Sequence, residues 1–176
     1  YQLPYDITVS TSVDAFTHLV ESYLNCNASL LSDMLAEKGF QLFQDCFNYL
    51  VNNDLSEDFR DKVMLASTIA GMAIAQVGTS LPHGMGYALT YHKKIPHGLA
   101  NGVLTIEYLK CFKDKSKINK MLNLLGLHNL QDLKEIFDSL FKVNTKLTEE
   151  EIKEFACNFA ENKAKLKNHP EEVDIL

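Results

Sequence analysis

The sequence predicts an all-α fold, a single helical-bundle domain of roughly seven to eight helices. Apolar residues recur three and four positions apart along almost the whole chain, as at Phe16, Leu19 and Tyr23, which is the period of a helix with one buried face. Glycine and proline are sparse, with 8 and 4 among 176 residues. No alternating apolar and polar run of useful length indicates a strand. A parallel-sheet nucleotide fold is therefore not expected in these residues.

Breaks in the apolar pattern separate the predicted helices. Thr11 and Ser12 offer an N-cap, so we expect the first helix to begin there. Polar turns at residues 25–27 and 52–54 end the first and second helices. The sequence TEEE at residues 148–151 has the pattern of a capping box at the start of the last helix. The predicted helices span residues 11–24, 29–51, 56–77, 84–91, 98–112, 115–125, 130–141 and 148–165.

Length, composition and charge limit the kinds of partner. A chain of 176 residues that is 46% hydrophobic can bury one sizeable core, so we expect one domain. A net charge of -6 with scattered lysines argues against nucleic acid as a partner. No apolar run approaches the length of a membrane helix, about 18 residues, and the first residues lack a signal-peptide pattern. We therefore expect no membrane partner and a cytoplasmic location.

The cysteines and the first residue give two further expectations, one about the redox state of the thiols and one about the length of the whole protein. The four cysteines lie far apart without a Cys-x-x-Cys spacing. That distribution fits reduced thiols better than a zinc knuckle or a compact disulfide scaffold. The sequence begins with tyrosine rather than methionine, and we expect it to be part of a longer protein.

The tripeptide Pro-His-Gly occurs twice, at residues 82–84 and 96–98. Proline fixes the backbone before each histidine, and glycine removes side-chain bulk after it, so other groups can approach the imidazole closely. The segment between them has room for about two helical turns and a reversal at residues 92–94. His83 and His97 would then return to one neighbourhood as two ligands of one site. The alternative is that each tripeptide only marks a helix start, with histidine as a cap or filler.

Asp14 and His18 form a second candidate pair. They lie four residues apart in the first predicted helix, so both side chains project from one face about one turn apart. That spacing suits two ligands of one metal. The alternative is an aspartate favoured by the helix dipole, followed by a surface histidine. With His83 and His97, the pair supplies one carboxylate and three imidazoles, a donor set for a borderline divalent cation such as Fe(II) or Zn(II).

Other residues with chemical potential are less informative. His92, His128 and His169 lie in lysine-rich or polar segments, and we expect them to be solvated and to carry no chemistry. The glycines of residues 84–86 neither follow a strand nor form Gly-x-Gly-x-x-Gly, so no phosphate cradle is predicted. Tyr87 lies one helical turn after the first histidine of the Pro-His-Gly pair. It would either reach a metal-bound ligand or pack in the core.

These motifs resemble the iron-containing, or group III, alcohol dehydrogenases. The family's first-helix signature reads here as Asp14-Ala15-Phe16-Thr17-His18, and a later helix reads MLASTIAGMA over residues 64–73. The stretch HGMG at residues 83–86 then leads to PHGLAN at residues 96–101. The match runs in order over nearly the whole chain. The resemblance implies the helical C-terminal domain of dehydroquinate synthase-like and iron-containing alcohol dehydrogenases, with four metal ligands: Asp14, His18, His83 and His97.

The resemblance also implies an activity. It is metal-assisted hydride transfer between a small alcohol or aldehyde and NAD(P), with Fe2+ or Zn2+ as the metal, in a longer chain that works as a homodimer. The family holds NAD(P) through an N-terminal α/β domain with a Gly-Gly-Gly-Ser signature that has no counterpart here. The isolated chain is therefore expected to be inactive. Many members have histidine where this chain has Tyr87, near the nicotinamide and implicated in proton handling, so Tyr87 is the candidate catalytic residue.

Two other functions compete with this one. The first is a non-catalytic, metal-stabilised helical interaction module, although structural zinc sites usually contain cysteines and no such cluster occurs here. The second is a hydrolase that uses a metal-activated water. The chain lacks a glutamate at a general-base spacing such as His-Glu-x-x-His.

Overall fold

The computed structural model describes residues 1–143, 145–161 and 163–172. It confirms the all-α prediction, with nine α-helices and no strand within those ranges, eight of the helices being longer than one or two turns. The helices are α1 (Tyr5–Tyr23), α2 (Leu30–Val51), α3 (Glu57–Val77), α4 (Leu81–Lys93), α5 (His97–Cys111), α6 (Ser116–Leu124), α7 (Leu130–Leu140), α8 (Glu149–Ala160) and α9 (Lys163–Leu166).

None of the helices in the described ranges has, by itself, the length and apolar composition needed to cross a membrane. The pair α3 and α4 meets both conditions jointly, but the two helices are bent by 111° at the break between them.

The first helix begins six residues earlier than predicted, at Tyr5 after Pro4. The hydroxyl of Thr8 donates to the Pro4 carbonyl oxygen at 2.9 Å, and that of Thr11 donates to the Ile7 carbonyl oxygen at 2.9 Å. Thr11 therefore bonds back along a helix that has already formed, instead of capping its start. Threonine can cap a helix start or donate to a carbonyl one turn earlier, and the prediction that Thr11 caps the helix is wrong.

Two other helix starts agree with the sequence signals. The Ser29 hydroxyl accepts from the Ser32 backbone N–H at 3.3 Å, in a capping box at the start of α2. Thr148 and Glu151 form the predicted capping box of α8, with backbone-to-side-chain distances of 3.0 and 3.2 Å. The last predicted helix is divided into α8, which ends at Ala160, and the short α9, and both of them pack against α4. Residue 162 of that prediction lies outside the described residues.

Helix α1 lies in the centre of the bundle, packed against α2, α3 and α5. The fully buried ring of Phe16 meets four phenylalanine rings of α2 and α7 at centroid distances of 5.1 to 6.1 Å. Residues two positions away on a helix point to nearly opposite sides. Burial of Phe16 therefore turns Asp14 and His18 away from this aromatic cluster, toward α4 and α5.

Helices α4 and α5 form a hairpin that lies against α1. The chain reverses within the predicted segment, at Lys94, which adopts a left-handed φ of 57°. Pro82 lies in the first turn of α4, where its missing N–H costs no helix bond. A Cβ added at Gly98 would overlap the Ser10 carbonyl oxygen of α1. Glycine at this position thus allows the start of α5 to approach the α1 backbone closely.

Candidate metal centre

The structure brings the four predicted ligand residues together. Asp14 and His18 come from α1, His83 from the first turn of α4, and His97 is the first residue of α5. The Asp14 Oδ1 atom lies 3.4 Å from His83 Nε2 and 3.7 Å from His97 Nε2. One ligand atom from each of Asp14, His83 and His97 lies within 4.8 Å of the other two. These three side chains can therefore share one cation.

His18 lies at the edge of this group. Its Nε2 atom is 4.0 Å from Asp14 Oδ2, and its ring stacks on that of His83 with centroids 4.4 Å apart and planes inclined by 19°. The geometry places His18 beside the other three donors without including it in the tightest set. Its role as a fourth ligand stays a prediction.

His83 is the buried member of the group, with 3% of its surface exposed. Its Nδ1 atom contacts Oε1 of Glu21, a carboxylate with 0% exposure, and the second Glu21 oxygen accepts from the backbone N–H of Ser80. Among the described residues, the buried Nε2 atom of His83 has no hydrogen-bond partner. It faces Asp14 Oδ1. An imidazole held at Nδ1 and free at Nε2 is typical of a metal ligand.

The electrostatics of the group favour a proton on His83 before a metal binds. Burial alone would lower the His83 pKa, but the adjacent carboxylates of Asp14 and Glu21 outweigh it and raise the pKa to about 9. Burial would raise the Asp14 pKa, yet the facing imidazole of His83 and the nearby His18 and His97 hold the pKa below its ordinary value.

The pKa values of the other two histidines, His18 and His97, are lowered instead. Burial, with a contribution from the charge on His83, lowers the His18 pKa to about 4. Burial also lowers the pKa of His97. Both imidazoles are therefore neutral near pH 7 and can offer a lone pair to a cation.

Asn101 links two of the candidate ligands. It follows His97 by one turn of α5 and is fully buried. Its side-chain N–H donates to Asp14 Oδ1 at 3.0 Å, and the same nitrogen lies 3.2 Å from His97 Nε2. Asn101 thus holds the side chains of Asp14 and His97 beside each other.

Glu21 and Asn101 were not identified by the sequence reasoning. Glu21 follows Asp14 by seven residues and His18 by three, so it lies on the ligand-bearing face of α1. Asn101 follows His97 by four residues, again on one helical face. Helical spacing therefore places both residues on the faces that carry the candidate ligands, but it does not show which side chains they contact.

Tyr87 lies at the exposed mouth of the group. Its ring stacks on that of His97, with centroids 5.4 Å apart and planes inclined by 16°. With 52% of its surface exposed, Tyr87 is not a core residue. Of the two roles considered from the sequence, packing in the core is wrong, and contact with a metal-bound ligand stays a prediction.

The remaining histidines lie away from this group. His92 and His128 are exposed as expected. His169 was expected to be solvated, and that prediction is wrong, because only 6% of its surface is exposed. Its ring packs against those of Tyr108 and Phe112, at centroid distances of 5.6 and 4.8 Å. The polar sequence around it gave no sign of this aromatic contact.

The donor set fits a divalent transition metal. One carboxylate and two or three imidazoles suit Fe(II) or Zn(II). The buried, unpartnered Nε2 of His83 would gain a partner in such a complex. The side chains of Asp14 and His97 keep 25% and 36% of their surface exposed, so a cation held by them would be accessible from outside this chain.

The sequence of this chain is similar to those of known proteins. Residues 8–170 match the model of the Fe-containing alcohol dehydrogenase family, C-terminal. The chain is 30% identical to 4-hydroxybutyrate dehydrogenase from Clostridium kluyveri over 180 residues, which cover 93% of this chain and 48% of that protein. It is 31% identical to alcohol dehydrogenase 4 from Schizosaccharomyces pombe over 128 residues, which cover 73% of this chain and 30% of that protein.

Solved structures show the same relationship. An iron-containing alcohol dehydrogenase from Thermotoga maritima superposes with a TM-score of 0.86 at 31% identity, over 99% of this chain and 48% of that one. Another iron-containing alcohol dehydrogenase gives a TM-score of 0.85 at 32% identity, over 99% of this chain and 47% of that one. The chain thus spans about half the length of these proteins, or less. It belongs to the Fe-containing alcohol dehydrogenase family and corresponds to the family's C-terminal helical domain.

Proposed function

We propose that this domain supplies the metal-binding half of the active site of an NAD(P)-dependent alcohol dehydrogenase. The observation that carries the proposal is the convergence of Asp14, His83 and His97 from three helices. Family membership adds to it. The proposed ligands are these three residues and His18, and the proposed metal is Fe2+, with Zn2+ as the alternative.

The chain's own residues would orient the substrate and handle its proton. A bound divalent cation supplies Lewis-acid stabilisation of negative charge on the alcohol or carbonyl oxygen. Asp14 is the single anionic ligand and the histidines are neutral, so the site keeps a net positive charge facing the substrate. Tyr87, stacked on His97 at the mouth, is placed to orient the substrate oxygen or to pass on its proton.

The substrate is proposed to be a small alcohol or aldehyde. The names of several relatives specify such compounds, among them the 4-hydroxybutyrate dehydrogenase of Clostridium kluyveri and a lactaldehyde reductase of Escherichia coli. NAD(P) would be held by a part of a longer protein outside these 176 residues. We therefore propose that the isolated chain is inactive, and that the complete enzyme is a cytoplasmic homodimer.

The competing function, a non-catalytic metal-stabilised interaction module, is less well supported. Structural metal sites are usually closed around the metal. Here Asp14 and His97 keep part of their side chains exposed, and Tyr87 stands beside them. An accessible site of this kind suits catalysis.

Metal analysis of variants tests the proposal. We expect about one divalent metal per chain after refolding with Fe(II) or Zn(II), and a strong loss of metal in His83→Ala and in His97→Ala. The exposed His128 provides a matched control, because His128→Ala removes an imidazole that is not part of the candidate ligand group. Unchanged stoichiometry and affinity in both site variants would contradict the metal centre. Alcohol-dependent reduction of NAD(P) by the complete enzyme, lost in the same two variants, would separate catalysis from a structural role.

A further inference from the structure

We propose that Glu21 is a positioning residue for the metal centre: its buried carboxylate holds His83 with the proton on Nδ1 and directs the Nε2 lone pair into the site. The inference rests on the proposed function, because it assigns a role at the same metal centre. Glu21 itself contacts His83 and Ser80 and is not a ligand in this scheme.

Burial makes the placement of this carboxylate significant. Glu21 has 0% of its surface exposed, and a buried carboxylate is costly unless hydrogen-bonded and paired. Its two oxygens have separate partners: Oε1 contacts His83 Nδ1, and Oε2 accepts from the Ser80 backbone N–H. The Ser80 contact fixes the orientation of the carboxylate, so Oε1 is held at one place beside the imidazole.

The two partners of Glu21 also join the elements that build the site. Ser80 is the N-cap residue of α4, and His83 lies three residues later in the first turn of that helix. Glu21 lies on α1, two turns after Asp14. One side chain therefore ties the start of α4 to the helix that carries Asp14. Loss of this link would alter the distance between Asp14 Oδ1 and His83 Nε2, now 3.4 Å.

The chemistry of the contact selects one tautomer. A carboxylate only accepts hydrogen bonds at neutral pH, so the Nδ1 atom beside it must carry the proton. The neutral form of His83 then has its lone pair on Nε2, the atom that faces Asp14. Carboxylates that contact a metal-bound histidine in this way fix the ring and raise its basicity, and their removal typically weakens metal binding by about 10- to 100-fold.

Glu21→Gln tests this role with little change of shape. The amide has one acceptor oxygen and one donor nitrogen, whereas Ser80 N–H and His83 Nδ1–H both need an acceptor. If the amide oxygen meets Ser80, its NH2 group faces Nδ1 and favours a proton on Nε2, which blocks that atom as a ligand. If the oxygen meets His83, the Ser80 N–H loses its acceptor.

The experiment is a chelator competition that measures Zn2+ affinity. We expect Glu21→Gln to weaken Zn2+ binding by about 10- to 100-fold. Glu107→Gln is the control for loss of one negative charge, because Glu107 is exposed and pairs with Lys110 at the surface. We expect that control to bind as the unchanged chain does. Equal affinity in a folded Glu21→Gln variant would overturn the proposal. Failure of the unchanged chain to bind Zn2+ would instead contradict the proposed function.

A measurement on the unchanged protein does not depend on how the variant folds. In the Zn2+-loaded chain, 15N NMR of the His83 ring should show a proton on Nδ1 and none on Nε2. A proton on Nε2, or a metal bond at Nδ1, would show that Glu21 does not position the ligand. Circular dichroism of Glu21→Gln would show whether its folded state is retained.

Discussion

At the residue scale, the candidate ligands differ in how far each is removed from water and in the charge that surrounds it. His83 is nearly inaccessible and lies between two carboxylates, whereas His18 and His97 lie nearer the surface with fewer acidic neighbours. Their pKa values move in opposite directions for this reason. Before a metal binds, the group holds one extra proton, and it is on His83.

That proton predicts a pH dependence of metal binding. The raised His83 pKa of about 9 means that a metal must displace a proton from Nε2 at neutral pH. Apparent affinity should therefore rise about tenfold per pH unit from about pH 7 to 9 and level off above that. His18 and His97 have lowered pKa values, so they should add nothing in this range.

Calorimetry in buffers of different ionisation enthalpy checks this prediction by counting the protons released. About one proton per metal is expected at pH 7.5. Release of no proton at that pH, with affinity independent of pH, would contradict the assignment of the proton to His83.

Tyr87 allows a second test at this scale, in the complete enzyme. Tyr87→Phe keeps the ring that stacks on His97, so metal affinity should be unchanged. If the hydroxyl orients the substrate or relays a proton, as we propose, kcat should fall by about ten- to a thousand-fold. Tyr87→His should restore activity and move the pH optimum toward neutrality, because imidazole titrates near pH 6.5. An unchanged kcat in both variants would assign Tyr87 to stacking alone.

The limits of sequence reasoning are visible in these same residues. Asp14 and His18 could be paired from helical spacing, and the repeated Pro-His-Gly singled out His83 and His97. Glu21 looks like any polar residue of an amphipathic helix. Its role depends on Ser80 and His83, which lie about 60 residues later, and helical periodicity carries no information about such contacts.

At the element scale, the site depends on how closely α5 approaches α1. Gly98 follows His97 directly, and a Cβ there would overlap the Ser10 carbonyl oxygen and crowd Asp14. Backbone atoms cannot move aside as a flexible side chain can, so α5 would shift as a unit. The Pro-His-Gly sequence thus has a structural role that its chemistry alone did not reveal.

Gly98→Ala is accordingly expected to destabilise the domain and to weaken metal binding together. Overpacking of this kind typically costs about 1 to 3 kcal/mol of unfolding free energy. Urea denaturation measures it, and Zn2+ competition measures the accompanying loss of affinity. Gly71→Ala is the matched control, because nothing lies within 4 Å of its added Cβ in α3. It should stabilise the helix by about 0.5 to 1 kcal/mol. Similar effects of the two substitutions would show that the space between α5 and α1 accommodates a Cβ at residue 98.

The predicted helix boundaries were correct where a local hydrogen bond sets them. The capping box at Thr148 needs only neighbouring residues and was predicted from the sequence, and the predicted start at residue 29 agrees with the capping box that the structure shows there. The start of α1 was misplaced, because Thr11 bonds to a carbonyl one turn earlier. A hydroxyl residue fits either role locally, and packing of α1 into the core decides between them.

At the scale of the whole molecule, the fold class followed from periodicity, whereas the arrangement of the helices did not. Apolar spacing of three and four residues identifies a helix with a buried face, and it recurs throughout the chain. The same pattern does not say which face meets which helix. The central position of α1, between α2, α3 and α5, brings the ligands together and became evident only from the structure.

The last prediction concerns the proposed division of labour between this domain and the remainder of a longer enzyme. The isolated chain should bind one divalent metal, since the candidate ligands all lie within it. It should not bind NADH, because none of its described residues forms the strands of a dinucleotide-binding sheet. Titration followed by nucleotide fluorescence should therefore show no saturation, with Zn2+ present or absent. The metal-loaded chain should also leave small alcohols unoxidised in the presence of NAD+ or NADP+. A tight, saturable complex with NADH would place the cofactor site in the helical domain itself and overturn this division.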